Sequence, residues 1–203
     1  MNNQQGGMTK RSWGISLFKL FAIAPWCLII LSTTEGVRAR PASVFIPHLE
    51  EIQGKLPAGL PMRLPAEIRI GQPLDIDESR LIIRVFPSET PLSFIVSLFT
   101  CSRGSFPCFL GSFTATSQTN VSAQRELQKY KEKGDRITLA PNVEGYLLEG
   151  PQQNPSYPFS AVMWQQNHII YTINFPAIER QNILFMAVSM AQQQPLYPRA
   201  PIP

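Results

Sequence analysis

The residues that could do chemistry in this chain are few and scattered. Its histidines are His48 and His168, and its cysteines are Cys27, Cys101 and Cys108. Cys101 and Cys108 flank Ser102-Arg103-Gly104-Ser105-Phe106-Pro107, a spacing too long for a redox pair, which usually holds two residues between its thiols. A zinc site built on them would have to recruit carboxylates, because only two histidines are on hand. The economical chemistry is a disulfide tying the two strands of a hairpin near its turn. A hydrolytic triad needs nucleophile, base and orienting acid together. His168 opens a strand beside a turn, but no Gly-x-Ser-x-Gly elbow exists to present a serine. His48, next to Pro47 at a helix start, reads as a surface residue.

Acidic residues are no richer in chemistry. Asp75, Asp77 and Glu78 cluster, yet Gly71 lies on the wrong side of them for a calcium loop, so they read as a solvated turn. Glu144 and Glu149 bracket one strand at an odd spacing, which puts them on opposite faces rather than in a carboxylate pair. No glycine-rich phosphate loop follows a strand. The sequence therefore predicts no catalytic residue, no metal and no cofactor. Aromatic residues between Phe94 and Phe175 read chiefly as core. Their functional alternative is a helix–sheet groove for an apolar ligand or a peptide, with Tyr146, Trp164 and Tyr171 as candidate lining.

The elements that must position these residues follow from periodicity. Residues 40–79 are expected to form a proline-rich N-terminal arm with one short helix, Pro47 to Lys55, whose Leu49 and Ile52 face the body. Leu60 to Ile70 suits an edge strand or an extended segment. Strand candidates are Arg80–Phe86, Leu92–Phe99, Phe109–Thr114, Arg136–Ala140, Val143–Glu149, Tyr157–Gln165 and His168–Phe175, with Gln166-Asn167 as a tight turn. Ala123, Leu127 and Tyr130 recur at helical spacing between Asn120, a ready N-cap, and Gly134. Asn120-Val121-Ser122 also fits a glycosylation sequon, which has meaning only in a eukaryotic secretory pathway. A terminal helix, Ala177 to Ala191, carries a stripe of Ile183, Leu184, Ala187, Val188 and Ala191. The tail, residues 192–203, holds four prolines and is expected to be extended and mobile. The fold class is α+β: a mainly antiparallel sheet of six to seven strands, with two main helices covering one face and one hairpin disulfide.

Residues 1–39 read as a secretory signal peptide. Lys10, Arg11 and Lys19 precede the apolar run Leu20–Leu31, and Val37-Arg38-Ala39 presents a cleavage site between Ala39 and Arg40. The run is about a dozen residues, short of the roughly 20 a membrane-spanning helix needs, so a membrane role is expected only through an uncleaved leader. Cys27 lies inside that run and reads as leader filler. The chain's net charge is +4, but Lys10, Arg11, Lys19 and Arg38 all precede the cleavage point, so no nucleic-acid partner is indicated. Arg125, Lys129, Lys131 and Lys133, interleaved with Glu126 and Glu132, read as a solvated helix face.

The order of hairpin cysteines, amphipathic helix, Glu144-Gly145-Tyr146 strand, Trp164 strand, Tyr171 strand and terminal helix with Ala187-Val188-Ser189 resembles a group of small exported proteins from cyanobacteria. The likeness covers about residues 80–191 and implies an α+β domain outside the cytosol, with no assigned activity and no catalytic residues to carry across. The closing strand–turn–strand–helix segment is also similar to small extracytoplasmic domains of envelope sensors and anti-sigma factors. The expectation is an exported, periplasmic or secreted, non-enzymatic module that binds an envelope or extracellular component. The alternatives are a carrier of a small apolar ligand and, last, a hydrolase built on His168.

Overall fold

Runs of β-branched and aromatic residues form seven strands in the computed structural model, which describes residues 40–71, 80–102 and 108–199. They are β1 (Ile82–Glu89), β2 (Leu92–Phe99), β3 (Phe109–Ser117), β4 (Asp135–Ala140), β5 (Val143–Leu148), β6 (Phe159–Gln166) and β7 (Ile169–Pro176). All pair antiparallel in one sheet of order β1-β2-β3-β7-β6-β5-β4. Three helices accompany them: α1 (Leu49–Lys55), α2 (Val121–Lys133) and α3 (Arg180–Gln192). The expected α+β class is therefore the observed one. The expected signal segment through Ala39 and the Asp75, Asp77, Glu78 cluster lie outside the described residues.

Topology follows from one long connection. The strands β1 to β3 form a meander, after which α2 carries the chain to the far edge of the sheet. A second meander from β4 then returns, so that β7 pairs with β3 at the centre. Pro87 is tolerated within β1 because that strand is an edge. The turn between β6 and β7 sits one residue later than expected. Asn167 and His168 occupy it, with φ of 50° and 67°, the paired positive values of a two-residue hairpin turn. His168 therefore belongs to the turn and not to the strand. Cys101 and Cys108 are joined as a disulfide, their Cα atoms 5.4 Å apart, where β2 and β3 leave the sheet beyond the Phe99–Phe109 pair.

Alternation along each strand separates two faces. On the first lie Phe94, Val96, Phe113, Ala115, Val162, Trp164, Tyr171, Ile173 and Phe175, all buried. Helix α3 packs there through Ile183, Met186, Ala187 and Met190. Its buried line is thus rotated from the expected stripe, leaving Leu184 and Val188 half-buried at the margin. On the second face, α2 sets Leu127 and Tyr130 against a small apolar island of Leu148, Ala161, Met163 and Ile170. The two main helices consequently lie on opposite faces, contrary to the expectation that they share one. The crossover from β3 to β4 must run over one face, and the strongly apolar first face is already closed by other segments.

Those segments are the arm and the tail. Phe45, Ile52, Leu60 and Met62 are fully buried in the first-face core, so the proline-rich arm is part of the domain's interior and not an appendage. The Phe45 ring meets Phe113 edge-on at 5.8 Å. Residues 63–71 run antiparallel along α3, strapped at four points. The buried Arg63 guanidinium donates to the Ala191 and Gln193 carbonyls at the helix C-terminus, where positive charge is favoured. The Ala66 amide donates to Ser189 Oγ at 2.9 Å, and the Arg69 guanidinium lies 3.3 Å from the Phe185 ring centroid. The Gly71 amide donates to Glu179 Oε2 at 2.8 Å, and that carboxylate also accepts from Asn182 Nδ2 at 2.6 Å. The tail, expected to be free, is held as far as Arg199. Leu196 and Met62 exchange backbone hydrogen bonds of 2.6 and 2.9 Å, and Arg199 pairs with Glu50.

Two substitutions test this packing. Phe45→Ala, in the arm, is expected to lower unfolding free energy by about 3–5 kcal/mol in urea titration, as for any wholly buried ring. A surface arm would lose under about 0.5 kcal/mol. The double change Cys101→Ser, Cys108→Ser is expected to cost about 2–3 kcal/mol by the same method, from the short loop the bond closes.

Candidate functional site

One helix on the second face leaves part of the sheet open, and there the chain builds a cleft of about 980 Å³. The first wall is α2. Its start is fixed by Asn120, whose Oδ1 accepts from the Ser122 and Ala123 amides at 2.9 and 3.1 Å. Its end is fixed by Gly134, whose amide donates to the Tyr130 carbonyl at 2.8 Å. The second wall is the loop Gly150–Tyr157. A Cβ at Gly150 would lie 1.8 Å from the Phe159 carbonyl oxygen, so only glycine lets the loop fold back this tightly. The Tyr157 amide donates to the Gly150 carbonyl at 3.0 Å and the Gly150 amide to the Ser160 side-chain Oγ at 3.2 Å, closing it. The Glu149–Arg180 ion pair holds its base.

Between the walls lies a floor of sheet side chains. Ser112 stands opposite Asn174 and Thr114 opposite Thr172 across β3 and β7, while Ala161 and Met163 stand beside them on β6. These four polar side chains alternate with Phe113, Ala115, Tyr171, Ile173 and Phe175, which face the core. None of the four makes a side-chain hydrogen bond among the described residues. Lys129 on the α2 wall is paired with Glu126 at 3.1 Å, whereas Lys133 has no carboxylate partner among the described residues. The Tyr130 hydroxyl is pushed up to about 12, chiefly by burial and further by the neighbouring Glu126 and Tyr157, so it stays a neutral phenol. Tyr157, about half exposed, rests on Phe159 with ring centroids 5.5 Å apart. From there a row of rings continues through Phe109 to Phe99.

The trio expected to line a groove, Tyr146, Trp164 and Tyr171, does not form this site. Trp164 and Tyr171 are buried and stacked on each other at 5.4 Å in the first-face core. There the Tyr171 hydroxyl donates to the Pro61 carbonyl at 3.2 Å and Trp164 Nε1 to Gln166 Oε1 at 3.3 Å. Tyr146 is on the opposite face, beside a smaller polar hollow with Glu144 and His168, so the expected trio is not brought together. His168 is exposed, with Nδ1 and Gln118 Nε2 in hydrogen-bond contact at 2.9 Å. His48 is 3.9 Å from Glu51. Glu144 pairs with Arg136 and Glu149, just past β5, with Arg180, so the two carboxylates serve separate ion pairs. Arg125, Lys129, Lys131 and Lys133 are exposed on α2 as expected, with Lys129 and Lys133 on the side that walls the cleft. Arg40 is exposed and its neighbour Ala39 is outside the described residues.

What sequence reasoning missed is Ser112, Thr114, Thr172 and Asn174. The signal was present as small polar residues at every second position of two otherwise apolar runs. Among the described residues, no group of three His, Cys, Asp or Glu side chains is placed to hold a metal, and no helix is long and apolar enough to cross a membrane. Against protein-family models, curated proteins and solved structures, the chain finds no match.

The Tyr130 environment yields a pH dependence. A phenol ordinarily titrates near 10, so above about pH 10 the unfolded chain releases a proton that folded Tyr130 retains. Stability is therefore fully present below about pH 10 and falls as pH rises toward about 12. Urea midpoints measured from pH 9 upward should show this decline, and Tyr130→Phe should flatten it in part. Tyr171, whose hydroxyl is also raised by burial, contributes in the same direction.

Proposed function

We propose that this protein is an exported, non-enzymatic binding module whose ligand occupies the second-face cleft. One observation carries the reading: Ser112, Thr114, Thr172 and Asn174 keep their hydrogen-bonding capacity unspent on the floor of a walled hollow. A polar sheet face is ordinary in an antiparallel sheet, but one walled on two sides into a hollow has the concave form with a few placed polar groups that recognition uses. The cleft volume falls at the upper end of the roughly 300–1,000 Å³ typical of small-molecule sites. The disulfide fits an oxidising compartment, which supports export into the periplasm or beyond.

An apolar carrier is less well supported. The hollow sets three hydroxyls and a carboxamide beside Ala161 and Met163 on its floor, and the aromatic pair that would have lined a greasy groove is spent in the core.

The test is a fragment titration of isotope-labelled protein followed by amide and methyl chemical shifts. Shifts gathered on Thr114, Thr172, Asn174 and α2, and lost in Thr172→Val, are the expected outcome. Fragments that cluster only elsewhere would contradict it.

A further inference from the structure

We propose that the ligand of the cleft is a saccharide, its hydroxyls against the floor and one face of a sugar ring against Tyr157. The inference rests on the binding-module reading and specifies its ligand class. Three observations converge on it.

The floor is neutral and bifunctional. Each hydroxyl of Ser112, Thr114 and Thr172 both donates and accepts, and the Asn174 carboxamide does the same through its two ends. A partner that both donates and accepts at every position satisfies such an array, and a sugar hydroxyl does so. A carboxylate or a fully ionised phosphate only accepts and an ammonium only donates, so each would leave part of the floor's capacity unmet.

The wall offers a platform. Tyr157 is 49% exposed, yet its ring is backed by Phe159, tilted by 32° at 5.5 Å. An exposed ring supported from behind presents a fixed, electron-rich face, to which the C–H face of a sugar is attracted. Apolar surface and hydrogen-bonding groups thus stand on adjacent sides of one hollow, which matches the two kinds of surface on a pyranose.

The floor's backbone is already used. The strands β3 and β7 lie at the centre of the sheet, their main-chain groups engaged on both sides by β2, β6 and each other. An extended peptide binds sheets by adding to an edge, so the cleft lacks the main-chain groups by which a peptide would be read. On charge, the lining holds Lys129 paired with Glu126 and Lys133 without a carboxylate, which accommodates neutral and acidic sugars alike.

The experiment titrates the purified protein, by chemical shift and calorimetry, with cellohexaose as the neutral arm and oligogalacturonate as the acidic arm. A short polar peptide serves as the third arm. Binding of either oligosaccharide with shifts at Thr172 and Asn174 is expected, weakened about fivefold or more by Tyr157→Ala and restored by Tyr157→Phe. Salt sensitivity and loss in Lys133→Gln assign the acidic source; indifference to both assigns the neutral one. If the peptide or other fragments occupy the cleft while both oligosaccharides fail, the saccharide assignment is overturned and the binding-module reading survives. Oligosaccharide binding unchanged by Tyr157→Ala overturns the assignment as well. A cleft silent to every arm and every fragment overturns both.

Discussion

A seven-stranded sheet is wider than any single helix can cover, and most of this structure answers that mismatch. With strands about 4.8 Å apart, the sheet spans roughly 29 Å across, whereas a helix with its side chains is about 10–12 Å wide. On the first face the deficit is made up by chain that looks expendable. Helix α3 covers the middle, and the arm brings Phe45, Ile52, Leu60 and Met62 beside it. The strap along α3, anchored from Arg63 to Gly71, and the Met62–Leu196 bridge seal the margin. Removing the arm, for one, would uncover the Phe113 ring that Phe45 meets edge-on, at about 25 cal/mol for each Å² exposed.

The second face meets the same mismatch in the opposite way. Helix α2 is polar on most of its surface and offers only Leu127 and Tyr130 as buried contacts, so its apolar island is small. The strands beyond its reach carry side chains that water can satisfy, which removes the need for a cover. The loop Gly150–Tyr157 then rises on the far side and turns an open sheet face into a hollow. Cleft and core are therefore products of one alternation. Ser112 and Phe113, or Thr172 and Ile173, are neighbours in sequence and belong to opposite functions, recognition and cohesion.

Much of the architecture was legible before any coordinates. The seven strands, three helices and the hairpin disulfide follow from periodicity, caps and two well-placed cysteines. What periodicity does not carry is pairing between distant strands. The adjacency of β3 and β7 is set by a crossover through α2 that no local pattern encodes, and the cleft floor exists only because of it. The strand Phe159–Gln166 is buried on both faces along most of its length, so Trp164 gave no sign of which face it would join. Prolines in the arm resemble those of a linker, although extended chain is what a strap beside a helix requires. The shift of the β6–β7 turn to Asn167-His168 reflects histidine tolerating a positive φ next to the expected asparagine.

The division of the sheet into a sealed face and an open one can be measured directly. A soluble nitroxide added to methyl-labelled protein broadens whatever it can approach. The methyls of Thr114 and Thr172 should be strongly attenuated, while those of Ile173, one residue along the same strand, should be untouched. Equal attenuation on both faces, or equal protection, would contradict the account.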